Sequence, residues 1–144
     1  MRLLHNWNCP WTDAATPRGC YVGEYGELVA ASWLRAQGYT VLRRRWRLGA
    51  SGELDLVCRK GDLLVFIEVK SALGTRGGRP ARRINEHKRQ LIRRAASLWL
   101  RRLHRNDIPS RIDVVEVLLP AGYPPEINHI QGAFHLQPSR NGAP

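Results

Sequence analysis

From Gly52 onward the chain alternates: Leu54, Leu56 and Cys58 fall between Glu53, Asp55 and Val57. A period of two predicts a strand. After a turn at Lys60-Gly61, Leu63 to Val69 is apolar almost throughout, as in a strand covered on both faces. That run nevertheless ends Glu68-Val69-Lys70. Side chains two apart on a strand share a face, so Glu68 and Lys70 point together. Hairpin pairing of the two strands sets Asp55 beside Glu68. Two carboxylates and a lysine then meet at the edge of an apolar sheet. That is costly unless compensated, and a divalent cation is the natural compensation.

The same reading places the other elements. Tyr25, Leu28, Val29, Ser32, Trp33 and Ala36 form a helical stripe, which predicts a helix over 21–37 closed by Gly38. Glu24 and Glu27 lie one turn apart in its first half, where acidic groups suit the helix dipole. Gly26 beside them costs helix stability and makes sense if the helix is pressed against another backbone or a ligand. Tyr39 to Leu42 predicts a short strand leading into Arg43-Arg-Arg-Trp-Arg47. Four arginines around a tryptophan suit a phosphate-contacting edge with an aromatic platform, and equally a solvated edge strand protected by charge. Residues 71–80, glycine-rich and basic with Arg76 and Arg79, predict a mobile loop hanging over the Lys70 site.

A second helix is predicted over 81–105, with Ile84, Lys88, Leu91, Ala95, Leu98 and Trp99 on one stripe. Lys88 interrupts that stripe and fits either a snorkelling side chain or a site residue. Strands over 112–119 and 127–136 follow. The order α-β-β-β-α-β-β predicts an α/β fold, a mixed sheet flanked by helices, in a single domain over 21–136. Residues 1–20 read as an irregular arm and 137–144 as a tail.

Charge narrows the function. Twenty-three basic residues face twelve acidic ones in 144 residues, a formal net charge of +11, and only Lys60, Lys70 and Lys88 are lysines. Arginine is the better bidentate partner for phosphate, so a polyanion, nucleic acid above all, is the expected partner. The cysteines Cys9, Cys20 and Cys58 are odd in number and lack the spacing of a metal site or a disulfide framework. No apolar run reaches membrane-spanning length, and no signal-peptide core is visible, so a cytoplasmic location is expected.

Asp55 and Glu68 supply the hard oxygen ligands that Mg²⁺ or Mn²⁺ takes together with substrate phosphate. Lys70 is placed to orient the attacking water and offset transition-state charge. Glu27 becomes a further ligand if its helix packs on the hairpin. Catalytic candidates are thus Glu27, Asp55, Glu68 and Lys70. The expected nucleic-acid contacts are Arg43, Arg44, Arg45, Arg47, Arg76, Arg79 and Lys88. The reading is a metal-dependent endonuclease acting on DNA. The alternative is a nucleic-acid-binding module that keeps the fold without turnover.

The motifs Gly23-x-x-Gly-Glu27-x-x-Ala30, Gly38-Tyr39, Gly52-Glu-Leu-Asp-Leu-Val57, Val65-Phe-Ile-Glu-Val-Lys70, Lys88 with Leu91 and Ala95, and Arg111-Ile-Asp-Val-Val115 together resemble the YraN-like bacterial family. That family is similar to archaeal Holliday junction resolvases, within the PD-(D/E)XK superfamily. The resemblance implies a restriction-endonuclease-like mixed sheet. It also implies a metal held by Asp55, Glu68, the Val69 carbonyl and Glu27, with Lys70 as the catalytic lysine. A homodimer acting on branched DNA is implied as well. Leu54 stands where the superfamily motif has proline, and Ser71-Ala72 replaces the family's usual Thr-Arg.

Overall fold

A computed structural model describes residues 19–50, 52–78, 84–105 and 107–137, with side chains from residue 22 onward. The arm over 1–18, Arg79, Arg82, Arg83 and most of the tail lie outside the described residues. The elements are α1 (Gly19–Ala36), β1 (Thr40–Arg47), β2 (Glu53–Lys60), β3 (Leu63–Gly74), α2 (Glu86–Arg102), β4 (Ser110–Pro120) and β5 (Glu126–Phe134). The mixed α/β architecture and element order are those expected from the sequence.

One five-stranded sheet runs β1-β2-β3-β4-β5. All neighbours are antiparallel except β3 and β4, which are parallel. A parallel pair needs a crossover, and α2 supplies it. The helices cover opposite faces. On the α1 side, Ala30 and Leu34 join Leu56, Ile67, Val115 and Val117 in one buried cluster. On the α2 side, Ile92, Ala95 and Ala96 join Phe66, Ile112 and Val114 in another. The α2 stripe is therefore rotated slightly from the expected one, with Ile92 and Ala96 fully buried and Leu91 only partly so. Among the described residues no helix is long and apolar enough to cross a membrane.

Two boundaries differ from the sequence expectation for physical reasons. β3 does not stop at Lys70 but continues to Gly74, because the long β4 offers it a parallel ladder from Leu64↔Ser110 to Gly74↔Pro120. Four more strand residues carry the chain roughly 13 Å past Lys70. The described part of the loop therefore leaves the site. The Gly77 N–H donates to the Glu126 carboxylate at 2.9 Å, and the Arg76 guanidinium lies 4.8 Å from the Tyr123 ring centroid. α2 begins at Glu86 rather than near residue 81, because Asn85 caps it: its Oδ1 accepts from the Lys88 N–H at 2.8 Å.

Two glycines bring the helices onto the sheet. A Cβ on Gly26 would lie 1.7 Å from Ser71 Oγ, so only glycine lets α1 meet β3 just past Lys70. The close approach expected at Gly26 is therefore made by the Ser71 side chain and not by another backbone or a ligand. A Cβ on Gly52 would lie 2.6 Å from the Leu91 carbonyl oxygen, which fixes the start of β2 against α2.

Candidate active site

Near Asp55 the hairpin opens. Regular pairing of β2 with β3 begins at Leu56↔Ile67. Leu54 and Leu56, two residues apart, enter opposite core clusters, so the alternation breaks at Asp55. The Val69 N–H donates to the Asp55 side chain, at 2.8 Å to Oδ2. The strand parting thus turns a backbone donor toward a carboxylate.

Glu68 lies beside Asp55 and is 3% exposed. Its parity on β3 matches Leu64 and Phe66, so it faces α2. Lys70 Nζ approaches Glu68 Oε1 at 3.5 Å, and Lys88 Nζ, from α2, approaches the same oxygen at 3.4 Å. Both distances exceed the about 2.7–2.9 Å of a charge-assisted hydrogen bond. Glu68 Oε2 is buried and has no hydrogen-bond partner among the described residues. Lys88, which the sequence left open between a snorkelling side chain and a place in the site, thus reaches the Glu68 carboxylate beside Lys70.

Asp55 is pushed up to about 7, first by burial and then by the Glu68 charge, against the pull of the Val69 N–H and Lys88. Two buried carboxylates this close cannot both ionise cheaply. A hard divalent cation suits this donor set: two carboxylates, one with an orphaned oxygen, and no thiolate or imidazole. Asp55 and Glu68 are the residues that would hold it.

Glu27 stands apart. It comes from α1, on the other side of the sheet, and its Oε2 accepts from Arg45 Nε at 2.7 Å. Arg45 also reaches Glu24 Oε1 at 3.1 Å, with its backbone in the left-handed region at φ 49°. Burial raises the Glu27 pKa first; the Arg45 hydrogen bond opposes this and the Asp55 charge adds to it. Among the described residues no three His, Cys, Asp or Glu side chains come together closely enough to hold a metal. The structure thus unites Asp55, Glu68, Lys70 and Lys88, and gives Glu27 to Arg45. The helix-dipole account of Glu24 and Glu27 does not hold, since α1 starts at Gly19 and has no acidic residue in its first turn.

The arginine-rich strand divides. Arg45 is engaged as above, and Arg47 pairs with Glu53 at 2.6 Å. Arg43 and Arg44 are exposed. Trp46 is not an exposed platform: its side chain points inward, is 8% exposed, and packs edge-on against Trp99 with centroids 5.2 Å apart. Strand alternation turns it toward α2 while the flanking arginines stay outside.

One cluster was missed by sequence reasoning. Asp113, fully buried on β4, accepts from Arg111 at 2.6 and 2.8 Å and from the Gly132 N–H at 2.9 Å, and lies 2.8 Å from His129 Nε2. Burial alone would raise its pKa, but the His129, Arg111 and Gly132 hydrogen bonds outweigh it and hold it low. A lone aspartate in the apolar run 112–119 was the available signal.

Fold and site together define a mixed α/β domain with an acidic pair and two lysines where two strands part. The profile of the Uncharacterised protein family UPF0102 matches residues 26–117, and the chain belongs to that family, in agreement with its YraN-like motifs. UPF0102 protein SCO5602 of Streptomyces coelicolor is 42% identical over 113 residues, 77% of this chain and 86% of that protein. UPF0102 protein STH1475 of Symbiobacterium thermophilum is 43% identical over 114 residues, 79% of this chain and 96% of that protein. A UPF0102 protein of Geotalea daltonii is 37% identical over 115 residues, 80% and 90% of the two chains.

Proposed function

We propose that the protein is a Mg²⁺- or Mn²⁺-dependent endonuclease that hydrolyses DNA phosphodiester bonds at branched or single-stranded structures. The observation that carries this reading is the buried Glu68 carboxylate, with one oxygen between Lys70 and Lys88 and the other without a partner, beside an Asp55 whose pKa is raised to about 7. A bound divalent cation would polarise the phosphoryl group and acidify a water. Asp55 and Glu68 hold the acidic end of the site. Lys70 donates to a phosphate oxygen or to the attacking water and offsets the charge that grows in the transition state. Lys88 supplies a second ammonium from α2. The +11 net charge favours a polyanionic substrate.

The test is cleavage of labelled linear duplex, single-stranded and four-way-junction DNA with Mg²⁺ or Mn²⁺, beside Lys70→Ala. Metal-dependent cutting that is lost in the variant supports the reading; unchanged cutting by Lys70→Ala sinks it. A second reading, a binding module without turnover, is favoured by the engagement of Glu27 with Arg45. It predicts salt-sensitive binding with no product in either metal.

A further inference from the structure

On the α2 side of the sheet, next to Lys70 and on the β4–β5 side of it, lies a cleft of about 170 Å³. Its walls are mostly apolar: Ile84, Val114, Ile130, Ala133 and Phe134. Three polar residues complete it, Lys70, Arg89 and Glu116. The Arg89 guanidinium lies 5.4 Å from the Phe134 ring centroid, so a cation and an aromatic ring border the same space. Arg89 Nε is buried without a hydrogen-bond partner among the described residues. Glu116 accepts from Asn128 at 2.9 Å through one oxygen, and its other oxygen retains acceptor capacity. Ile130, at one side, is 38% exposed although apolar.

These features suit a flat, heteroaromatic ligand with both donors and acceptors on its edge. Size selects among such ligands. An apolar cavity of about 150 Å³ takes a single six-membered ring such as benzene. This cleft is of similar volume and open to solvent, so it holds one ring, and the second ring of a purine would stand outside it. Its position selects the source of the ring, because the cleft shares Lys70 with the acidic pair. A strand whose phosphate lies at Lys70 has its nearest bases within reach of the cleft. A base held in a duplex presents no free face to it, so the base that enters is unpaired.

We propose that this cleft seats one unpaired pyrimidine base of a nucleic-acid strand whose phosphodiester lies at Glu68 and Lys70; this rests on the nuclease reading of that site. Arg89 and Glu116 face the edge of the base, and Phe134 and Ile130 contact its ring. Preference for single-stranded or branched substrates then follows from the need for an unpaired base beside the phosphate.

The experiment uses the full chain without divalent metal, so that binding is separated from cutting. Single-stranded oligonucleotides carry one fluorescent pyrimidine, pyrrolocytosine, moved along otherwise abasic or pyrimidine tracts. The expected result is a fluorescence change at one register, with binding about tenfold weaker when that position is abasic or a purine, in keeping with base–aromatic contacts. Ala133→Leu fills the cleft and leaves Lys70, Arg89 and Glu116 in place. It should remove the base-dependent factor while retaining salt-sensitive binding. Equal affinity for pyrimidine, purine and abasic strands, or the same base-dependent factor in Ala133→Leu, overturns the proposal. Cytidine monophosphate binding blocked by Ala133→Leu, with no base dependence in strands, also overturns it and assigns the cleft to a free nucleotide. Metal-dependent cutting without base dependence removes this inference alone. Absence of both nucleic-acid binding and cutting removes the nuclease reading with it. The abasic series on the parent protein stands even if Ala133→Leu does not fold.

Discussion

Asp55 carries a cost to stability at neutral pH. Its raised pKa means that the folded protein holds this proton more tightly than the unfolded chain does. The stability it contributes is full below its ordinary value of 3.8 and is lost as pH rises to about 7. The loss is at most about 4 kcal/mol, and less where Glu68 and Asp55 share it. Metal-free protein should therefore melt at a lower temperature at pH 8 than at pH 5. Asp55→Asn keeps an acceptor for the Val69 N–H and should abolish most of that difference, raising the melting temperature at pH 8. In the parent, Mg²⁺ at pH 8 should restore stability by binding the folded state, and in Asp55→Asn it should do so much less. Thermal melts at two pH values, with and without Mg²⁺, check all three outcomes. Equal melts of parent and variant across this range would remove Asp55 as the titrating group. Cys58, buried and pushed up to about 12 by that burial, should resist thiol reagents until the protein unfolds.

At the scale of elements, two contacts decide how the secondary structure meets. α1 reaches β3 only because residue 26 lacks a side chain. Gly26→Ala drives a methyl into Ser71 and should cost about 1–3 kcal/mol in urea denaturation. Ser71→Gly removes the obstructing atoms, so the double variant should recover part of that loss. Additive losses in the double-mutant cycle would show that the two residues do not share the contact. The second contact ties β5 to β4 where their register shifts between Ile112 and Val114. Asp113 there gathers Arg111, His129 and the Gly132 N–H, and removing it leaves Arg111 unpaired in a partly buried place. Asp113→Ala should cost about 3 kcal/mol, with early amide exchange over 126–134. Since the Asp113 pKa is lowered, its contribution holds above the ordinary carboxylate range and is lost as pH falls through the depressed value. Parent and Asp113→Ala should therefore converge in stability at strongly acid pH.

At the scale of the molecule, charge is distributed unevenly. Arg45, Arg47, Arg93, Arg105 and Arg111 are engaged by acidic partners within the protein. Arg43 and Arg102 instead meet over a cleft of about 290 Å³ with Trp46, Trp99 and Leu103, where no carboxylate lines the wall. Unlike the engaged arginines, these two line an open cleft together, which makes them the pair to test against an outside anion. Nucleic-acid binding should fall steeply with salt. Arg43→Gln and Arg102→Gln should each flatten the slope of log affinity against log salt by about 1. Arg47→Gln, whose partner is Glu53, should change the slope less. Fluorescence anisotropy over a salt series measures it; equal slopes for all three variants would show that the charge acts only as a diffuse field.

The sequence by itself determined the strands, the helices and the acidic pair, because these depend on short-range pattern. Period two and a tight turn align Asp55 with Glu68, and the alternation of one strand sends Glu68 and Lys70 to one face. It also anticipated that Gly26 lies under close contact, since a helical glycine beside two glutamates has few other reasons. What it left open depends on packing between distant segments. Whether Lys88 joins the site depends on the rotation of α2, which Gly52 sets by admitting the Leu91 carbonyl. Whether Glu27 meets the acidic pair depends on α1 lying across the opposite face, where Arg45 claims its carboxylate. The Asp113 cluster joins residues 16 and 19 positions apart across a register shift, and no local period encodes that. Tertiary structure decided these points because ion pairs are satisfied through space, while strand and helix periods are written along the chain.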